Sequence, residues 1–508
     1  MENFDQIALA LIIFVPLAGA IAAMFMPADR QKDVWYFAIV VAGLCFALSL
    51  YIFLRYDYGA GGFQFQDSYR WLPAPVDINL SLAVDGISAL LILLNGIILL
   101  GGVLISQNIV YRPRDFFVLL LALGTGVFGT FAVRDLFFLF FFYELAVLPM
   151  YLLIGVWGSS TDFRTFFRAK EYAATKLFLF LVAGSVLVWI GILAVYKGAA
   201  ESGFPTFSME TLGRLAEAGQ LSEEFQTWVF PLFMVGFGVL AGMWPFHTWS
   251  PDGHVAAPTA VSMLHAGGLM KLGAFGIIRV ALELLPQGAE DWKLVLVGLA
   301  TVNVIYGAIA AMSQKDLKYV IGYSSVSHMG FVTLGLFTFN AKGVEGAVLQ
   351  MFNHGITTGA LFLFVGLIYE RTQTRIIADY GGLMKIVPVY GVLLCVFTLS
   401  SIAVPGTNAF VGELLVLAGA FGANKAIGAV AVAGAVLSAA YMLGFYRQVA
   451  LGPAVAMGGR GMWDINAREM AGILPLVVFV FWVGLYPKPF IDILHVSVEH
   501  LLTQTMGR

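Results

Sequence analysis

The chain runs apolar, again and again, for the length of a lipid bilayer, and this limits the folds open to it more than any other feature. About fourteen stretches of roughly 18 to 25 apolar residues occur, and at about 1.5 Å per residue each can cross about 30 Å of hydrocarbon as a helix. They fall near 5–26, 34–54, 87–106, 115–133, 136–156, 172–196, 228–247, 259–284, 293–312, 317–338, 343–370, 388–420 (interrupted), 426–448 and 469–487. Lipid offers the backbone no hydrogen-bond partner, so a helical bundle follows. The expected fold is an all-α integral membrane protein of about 14 transmembrane helices. With 60% hydrophobic and 12% charged residues, the composition leaves little for a water-soluble surface. A net charge of −3 with no basic cluster gives nucleic acid nothing to bind. The opening "MENFDQIALALIIFVPLAGAIAAMFM" carries acids where a secretory signal carries basic residues, and reads as a retained first helix. Cys45 and Cys395 lie in apolar segments without CxxC spacing and read as small core residues.

Two segments break where a spanning helix should be regular: "GMWPFHTWSPDGH", with Pro245 and Pro251, and "SSIAVPGTNAFVGELL", with Pro405 and Gly406. Each falls fourth in a five-helix unit, and broken helices at matching places in two halves point to a repeat-built transporter. The implied division is 1–114 for helices one to three, 115–284 for a first repeat, 285–450 for a second, and 451–508 for the last helix. Lysines and arginines number about 15 on the side holding "SSTDFRTFFRAK", "SQKDLK" and "RTQTR", against about 11 on the side of the termini, which places both termini outside.

A charge at the bilayer centre costs at least about 2.5 kcal/mol on insertion scales, so ionisable groups inside these segments ask for a partner or water. The candidates are Glu144, Lys176, Lys271, His328, His354 and Glu413, spread over separate helices. Lys271 and Glu144 lie too deep to reach the interface through their own stems. The histidines titrate in a range suited to proton relay, although a lone histidine on an apolar helix is often only a satisfied core donor. His247 and His254 flank the first break, where unwound backbone binds water or needs capping. Glu413 follows the second break by about one turn, and a helix N-terminus stabilises a carboxylate there. "GTGVFG" at Gly124 to Gly129 fits G-x-G-x-x-G, but no strand precedes it and it sits inside a spanning helix. The run "DLFFLFFFYE" reads as packing, and no histidine pair offers haem ligation.

The stretches "FYELAVLPMYLLIG", "HTWSPDGHVAAPTAVSMLHAGGLMKLG", "SQKDLKYVIGYSSVSHMGFV" and "PGTNAFVGELL" resemble the antiporter-like membrane subunits of respiratory complex I over nearly the whole chain. Within that family the M-type (chain 4) branch is the nearer, since Glu413 stands where the L-type branch carries lysine and no long lateral helix follows helix fourteen. The resemblance implies two inverted five-helix repeats with broken helices seven and twelve around a central polar axis. It matches Glu144 to the fifth-helix glutamate, Lys271 to the eighth-helix lysine, His328 and His354 to the connecting histidines, and Glu413 to the twelfth-helix acid. It further implies proton translocation in a bacterial inner membrane beside L-type and N-type antiporter-like neighbours. No cofactor is expected in this chain; FMN, Fe–S clusters and quinone would belong to partner subunits. One departure stands out: the family's lysine before the helix-seven break is replaced by Leu240, and its companion proline by Gly242. Lys176 is then a substitute partner for Glu144, carrying protons in its stead. The competing expectations are an Mrp-type cation/proton antiporter subunit, a membrane-bound hydrogenase subunit, and a non-pumping scaffold.

Overall fold

The computed structural model describes residues 2–28, 30–73, 76–162, 167–454 and 462–506. The chain opens with α1 (Glu2–Met24) and α2 (Gln31–Arg55), then a hairpin of β1 (Gln64–Leu72) and β2 (Ile78–Val84). Next come α3 (Gly86–Ile105), α4 (Pro113–Ala132), α5 (Leu136–Trp157), a two-residue ribbon β3 (Thr161–Asp162) and β4 (Phe167–Arg168), and α6 (Lys170–Glu201). After the short α7 (Met209–Glu217) follow α8 (Glu223–Ala241), α9 (Trp249–Ala256), α10 (Thr259–Leu264) and α11 (Met270–Gly276). The remainder is α12 (Pro286–Met312), α13 (Leu317–Leu336), α14 (Ala341–Thr372), α15 (Leu383–Ile386), α16 (Pro388–Ser401), α17 (Asn408–Ala423), α18 (Lys425–Ala450), α19 (Ala467–Leu485) and α20 (Lys488–Met506).

Among the described residues, twelve helical segments are long and apolar enough to cross a membrane. The 20-residue α13 and the broken pair α16/α17 bring the crossings to fourteen, at the places expected from the sequence. The protein is thus an all-α, multi-pass membrane protein. An even number of crossings returns the chain to its starting face, called here the terminal face. The first hairpin already does so: Tyr51 and Arg55, at the end of α2, bond Asp5 near the start of α1 at 2.6 and 3.3 Å. Of the charges counted for the other face, Arg164 and Arg460 lie outside the described residues.

Both broken helices repair their loose backbone with asparagine. At the first, Gly242 turns α8 out at φ 73°, a left-handed conformation that favours glycine. Asn303 of α12 then accepts from the Trp244 N–H at 2.9 Å and donates to the Val326 carbonyl at 3.0 Å. At the second, Asn353 of α14 and Asn408 of α17 exchange side-chain to carbonyl bonds of 2.8 and 3.2 Å. Irregular backbone survives at membrane depth only when protein satisfies it in this way.

One capping device occurs twice. Asp135 accepts from the Phe137 and Phe138 N–H groups at 2.9 and 3.2 Å and starts α5; Asp316 accepts from Lys318 and Tyr319 at 2.8 and 3.3 Å and starts α13. Each aspartate also makes an isolated antiparallel bridge to the segment beyond the next helix, Asp135 to Ser208 and Asp316 to Ile376. Five crossings separate them, so one cap lies on the terminal face and the other on the opposite face. Two inverted five-helix repeats produce this arrangement.

The segments Thr259–Leu282 and Ala341–Thr372 are the most enclosed, each with its apolar stretch 100% buried, whereas the outermost helices bury 33 to 50%. These two enclosed segments carry Lys271 and His354. On the terminal face, Arg279 pairs with Asp85 and Glu283, and Arg134 reaches Glu283 at 3.3 Å under the ring of Phe63. Beyond the fourteenth crossing α20 folds back, burying Phe490, Ile493, Leu494, Val498 and Leu501. It is pinned by Ser497, whose hydroxyl oxygen accepts from the Gly86 N–H at 2.9 Å.

Candidate functional site

The eighth crossing is widened on both sides of α11, at His265–Leu269 and Ile277–Leu282, where the turns are π-helical. Such bulges displace carbonyls from the regular ladder and mark functional positions. Lys271, fully buried between them, donates from Nζ to the Ala266 carbonyl and meets His354 Nδ1, each at 2.5 Å. No carboxylate is among its bonded partners in the described residues. An ammonium has donors only, so when Lys271 is charged His354 Nδ1 accepts and the ring keeps its proton on Nε2. When the proton has passed to the imidazole, Nδ1 donates and the neutral Lys271 amine accepts. Transfer of one proton separates the two states, and neither heavy atom has to move.

His354 continues the series. Its ring centroid lies 5.7 Å from that of His328 on α13, and His328 Nδ1 sits 3.1 Å from Glu413 Oε1 on α17. Gln350, one turn before His354 on α14, donates to Glu413 at 3.2 Å and lies 3.5 Å from His328. A cavity of about 10 Å³, bounded by His328, Gln350, His354, Thr357, Thr358 and Ser401 among others, fills the space between the two histidines. That is room for about one water molecule. The four predicted residues Lys271, His354, His328 and Glu413 therefore form one continuous buried chain of titratable groups. Gln350 was not singled out from the sequence; its place at i−4 from His354 was the available signal.

The other two predicted residues stand apart. Glu144, half-buried on α5, accepts from the Ser185 hydroxyl, which also bonds the Tyr143 hydroxyl at 2.7 Å. Lys176 does not pair with Glu144, and that expectation is corrected. Nine residues separate Lys176 from Ser185 on α6, roughly 13 Å along the axis. Lys176 instead pairs with Asp252 Oδ2 on α9 at 2.9 Å, and Arg168 and the Tyr319 hydroxyl, the latter at 2.7 Å, complete the cluster on Oδ1. Leu240, where a lysine was expected, is fully buried near the end of α8. His247 packs against the rings of Tyr306 and Tyr323, and His254 against His265, a residue the sequence reading passed over. Among the described residues, no group of three or more His, Cys, Asp or Glu side chains is arranged to hold a metal ion.

Comparison with known proteins sets this geometry in a lineage. The model of the family "NADH:quinone oxidoreductase/Mrp antiporter, TM" matches residues 133–438, which span both broken helices and the whole buried chain. The chain belongs to this family. It is 36% identical over 507 residues to NADH-quinone oxidoreductase subunit M of Rhodobacter capsulatus, covering 97% of this chain and 96% of that one. It is 34% identical to NADH-ubiquinone oxidoreductase chain 4 of Chondrus crispus, with 97% of each covered. Among solved structures, a chain of respiratory complex I from Thermus thermophilus superposes with a TM-score of 0.87 at 29% identity, covering 98% of this chain and 99% of that one. A chain of the Mrp complex from Dietzia sp. shares the fold, with a TM-score of 0.83 at 20% identity over 98% and 97% of the two chains.

Proposed function

We propose that the chain is the M-type membrane-arm subunit of a proton-translocating NADH–quinone oxidoreductase, passing protons along Lys271, His354, His328 and Glu413. The observation that carries this reading is the contact between Lys271 and His354, two groups able to trade a proton at the centre of the bundle without a counter-charge. Full-length likeness to subunits M and chain 4, at equal coverage of both partners, supports the oxidoreductase over the Mrp-type antiporter and the hydrogenase arm. Moving one charge against 100 mV costs about 2.3 kcal/mol, and partner subunits holding FMN, Fe–S clusters and quinone supply it by electron transfer. L-type and N-type neighbours flank the chain in a bacterial inner membrane, with both termini outside. The repeats run from 115 to 284 and from 285 to 450, after an N-terminal unit 1–114 and before a C-terminal unit 451–508; the paired caps of Asp135 and Asp316 support that division.

Leu240 favours a second reading, a scaffold that joins pumping neighbours without pumping. Proton movement in sealed vesicles holding the intact complex separates the two, with electron transfer followed in parallel. Lys271→Met is expected to assemble, to transfer electrons, and to move fewer protons per electron than the parent. An unchanged ratio sinks the pumping reading and leaves the scaffold.

A further inference from the structure

Beside the titratable groups of the buried chain stands an amide that carries no proton of its own. Gln350 on α14 is 1% exposed and sits where His328 of α13 meets Glu413 of α17. One oxygen of Glu413 serves both partners: His328 Nδ1 lies 3.1 Å from Oε1, and Gln350 Nε2 donates to the same Oε1 at 3.2 Å. The two nitrogens are 3.5 Å apart. These three atoms form a triangle, so the way the amide faces decides what the carboxyl oxygen and the imidazole nitrogen can do.

The other end of the amide has no partner. Gln350 Oε1 is buried without a hydrogen bond among the described residues, and so is Asn353 Oδ1, three residues further along α14. Buried polar atoms are nearly always paired, so an orphan oxygen here marks an amide with a second setting. A glycine keeps the space around it: a Cβ on Gly412, next to Glu413, would lie 2.6 Å from Gln350 Oε1 and 2.9 Å from Asn353 Nδ2. The terminal torsion of glutamine is broad and roughly two-fold, so the amide can exchange its ends without moving the backbone.

The two ends are opposite in kind, since Nε2 only donates and Oε1 only accepts. While Glu413 is ionised beside a protonated His328, Nε2 is the end that fits. Proton transfer breaks the Nδ1–H bond and forms the Oε1–H bond, and the imidazolium and the carboxylate both become neutral. The new hydroxyl then needs an acceptor. His328 Nδ1 is one, and bonding to it invites the proton back; Gln350 Oε1 is the other once the amide has reversed, and bonding to it turns the O–H away from the histidine. Two further titratable groups face this place. The ring of His354 lies 5.7 Å from that of His328, and the hydroxyl of Tyr441 on α18 is bonded to Ser324 and Ser438 at 2.7 and 3.2 Å.

We infer that Gln350 is a positioning residue for the transfer between His328 and Glu413: its amide reverses when Glu413 takes the proton, and the reversed amide holds that proton against return. His328 Nδ1 is then left free to accept the next one. The amide gains and loses no proton itself; it sets the direction of the step. The inference rests on the reading of Lys271, His354, His328 and Glu413 as a proton path.

A device that blocks return matters more as the opposing load grows, whereas a merely structural role does not depend on load. The test measures protons moved per electron by the intact complex in sealed vesicles, at the onset of turnover and against imposed potentials of up to about 100 mV, with native gels reporting assembly. Gln350→Leu removes donor and acceptor together. Gly412→Ala keeps the amide but fills the space in which it turns, and replaces the leucine variant if that one fails to assemble. The expected result is a loss that deepens with load: the ratio of the variant, relative to the parent, falls as the potential rises. Lys271→Met is expected to lose pumping at every potential alike. No loss, or a loss independent of potential, in assembled Gln350→Leu or Gly412→Ala overturns the gate and spares the axis. Failure of both variants to assemble makes Gln350 structural and also overturns the gate. Parental pumping in Lys271→Met overturns the axis itself.

Discussion

Arg279 shows what a single buried charge demands of its neighbours. Its side chain is 4% exposed and lies between Asp85 and Glu283, with exposures of 4% and 8%. Burial alone would raise the Asp85 carboxyl, but the Arg279 guanidinium against it holds it below the usual carboxylate range. Arg279→Met would leave two buried carboxylates facing one remaining cation, Arg134. Losing one partner of a buried pair costs about 3–5 kcal/mol, so this variant is expected to accumulate little assembled complex on native gels. A normal yield would show that the cluster is dispensable. The sequence made the axis legible but not this cluster, and the difference is physical. Lys271, His328 and His354 stand out because their own segments are apolar, which is a local property. Arg279 gains its meaning from Asp85 and Glu283, and His265 from the ring of His254; both are contacts between segments that no single stretch reveals.

Helix packing depends on close backbone approach at a few glycines. A Cβ on Gly273 would lie 2.3 Å from the Ala241 nitrogen and 2.6 Å from the Phe237 carbonyl oxygen, so α11 and α8 would have to separate beside Lys271. Gly273→Ala is expected to destabilise by about 1–3 kcal/mol, read as a lower thermal midpoint of the purified complex. Gly298→Ala, with nothing within 4 Å of the new Cβ, is the control and should leave that midpoint unchanged or slightly raised. A second element-level expectation concerns α20, whose His495 bonds Glu345 at 2.7 Å and approaches Glu499 at 3.2 Å. The Glu345 contact raises the imidazole above its ordinary value of 6.5. The docking contribution is therefore complete below that value and fades as pH rises through the higher folded value. Hydrogen-exchange protection in α20, taken relative to the intrinsic exchange rate at each pH, should fall across that window, and His495→Gln should abolish that fall; constant protection in the parent would remove the dyad's role. The spanning helices were legible because apolar length alone defines them. The helix α20 was not, since its apolar residues recur on one face of a polar segment and find their partners only after α3 and α14 have packed.

At the scale of the whole molecule, fourteen crossings fix both termini to one face, and the charges then decide which way that face points. Lysine and arginine crowd the loops after α5, α12 and α14, all on the face opposite the termini, and basic loops are retained in the cytoplasm. The proposed orientation therefore puts both termini outside, and it can be tested without reference to transport. Two exposed lysines allow a direct check, Lys197 near the terminal-face end of α6 and Lys315 in the loop before α13. The native thiols interfere little, because Cys45 is buried in α2 and Cys395 is half-buried in α16, both inside crossings. In intact cells an impermeant maleimide should label Lys197→Cys, whereas Lys315→Cys should react only after the membrane is opened. The reverse pattern would place both termini in the cytoplasm and overturn the orientation read from the loop charges.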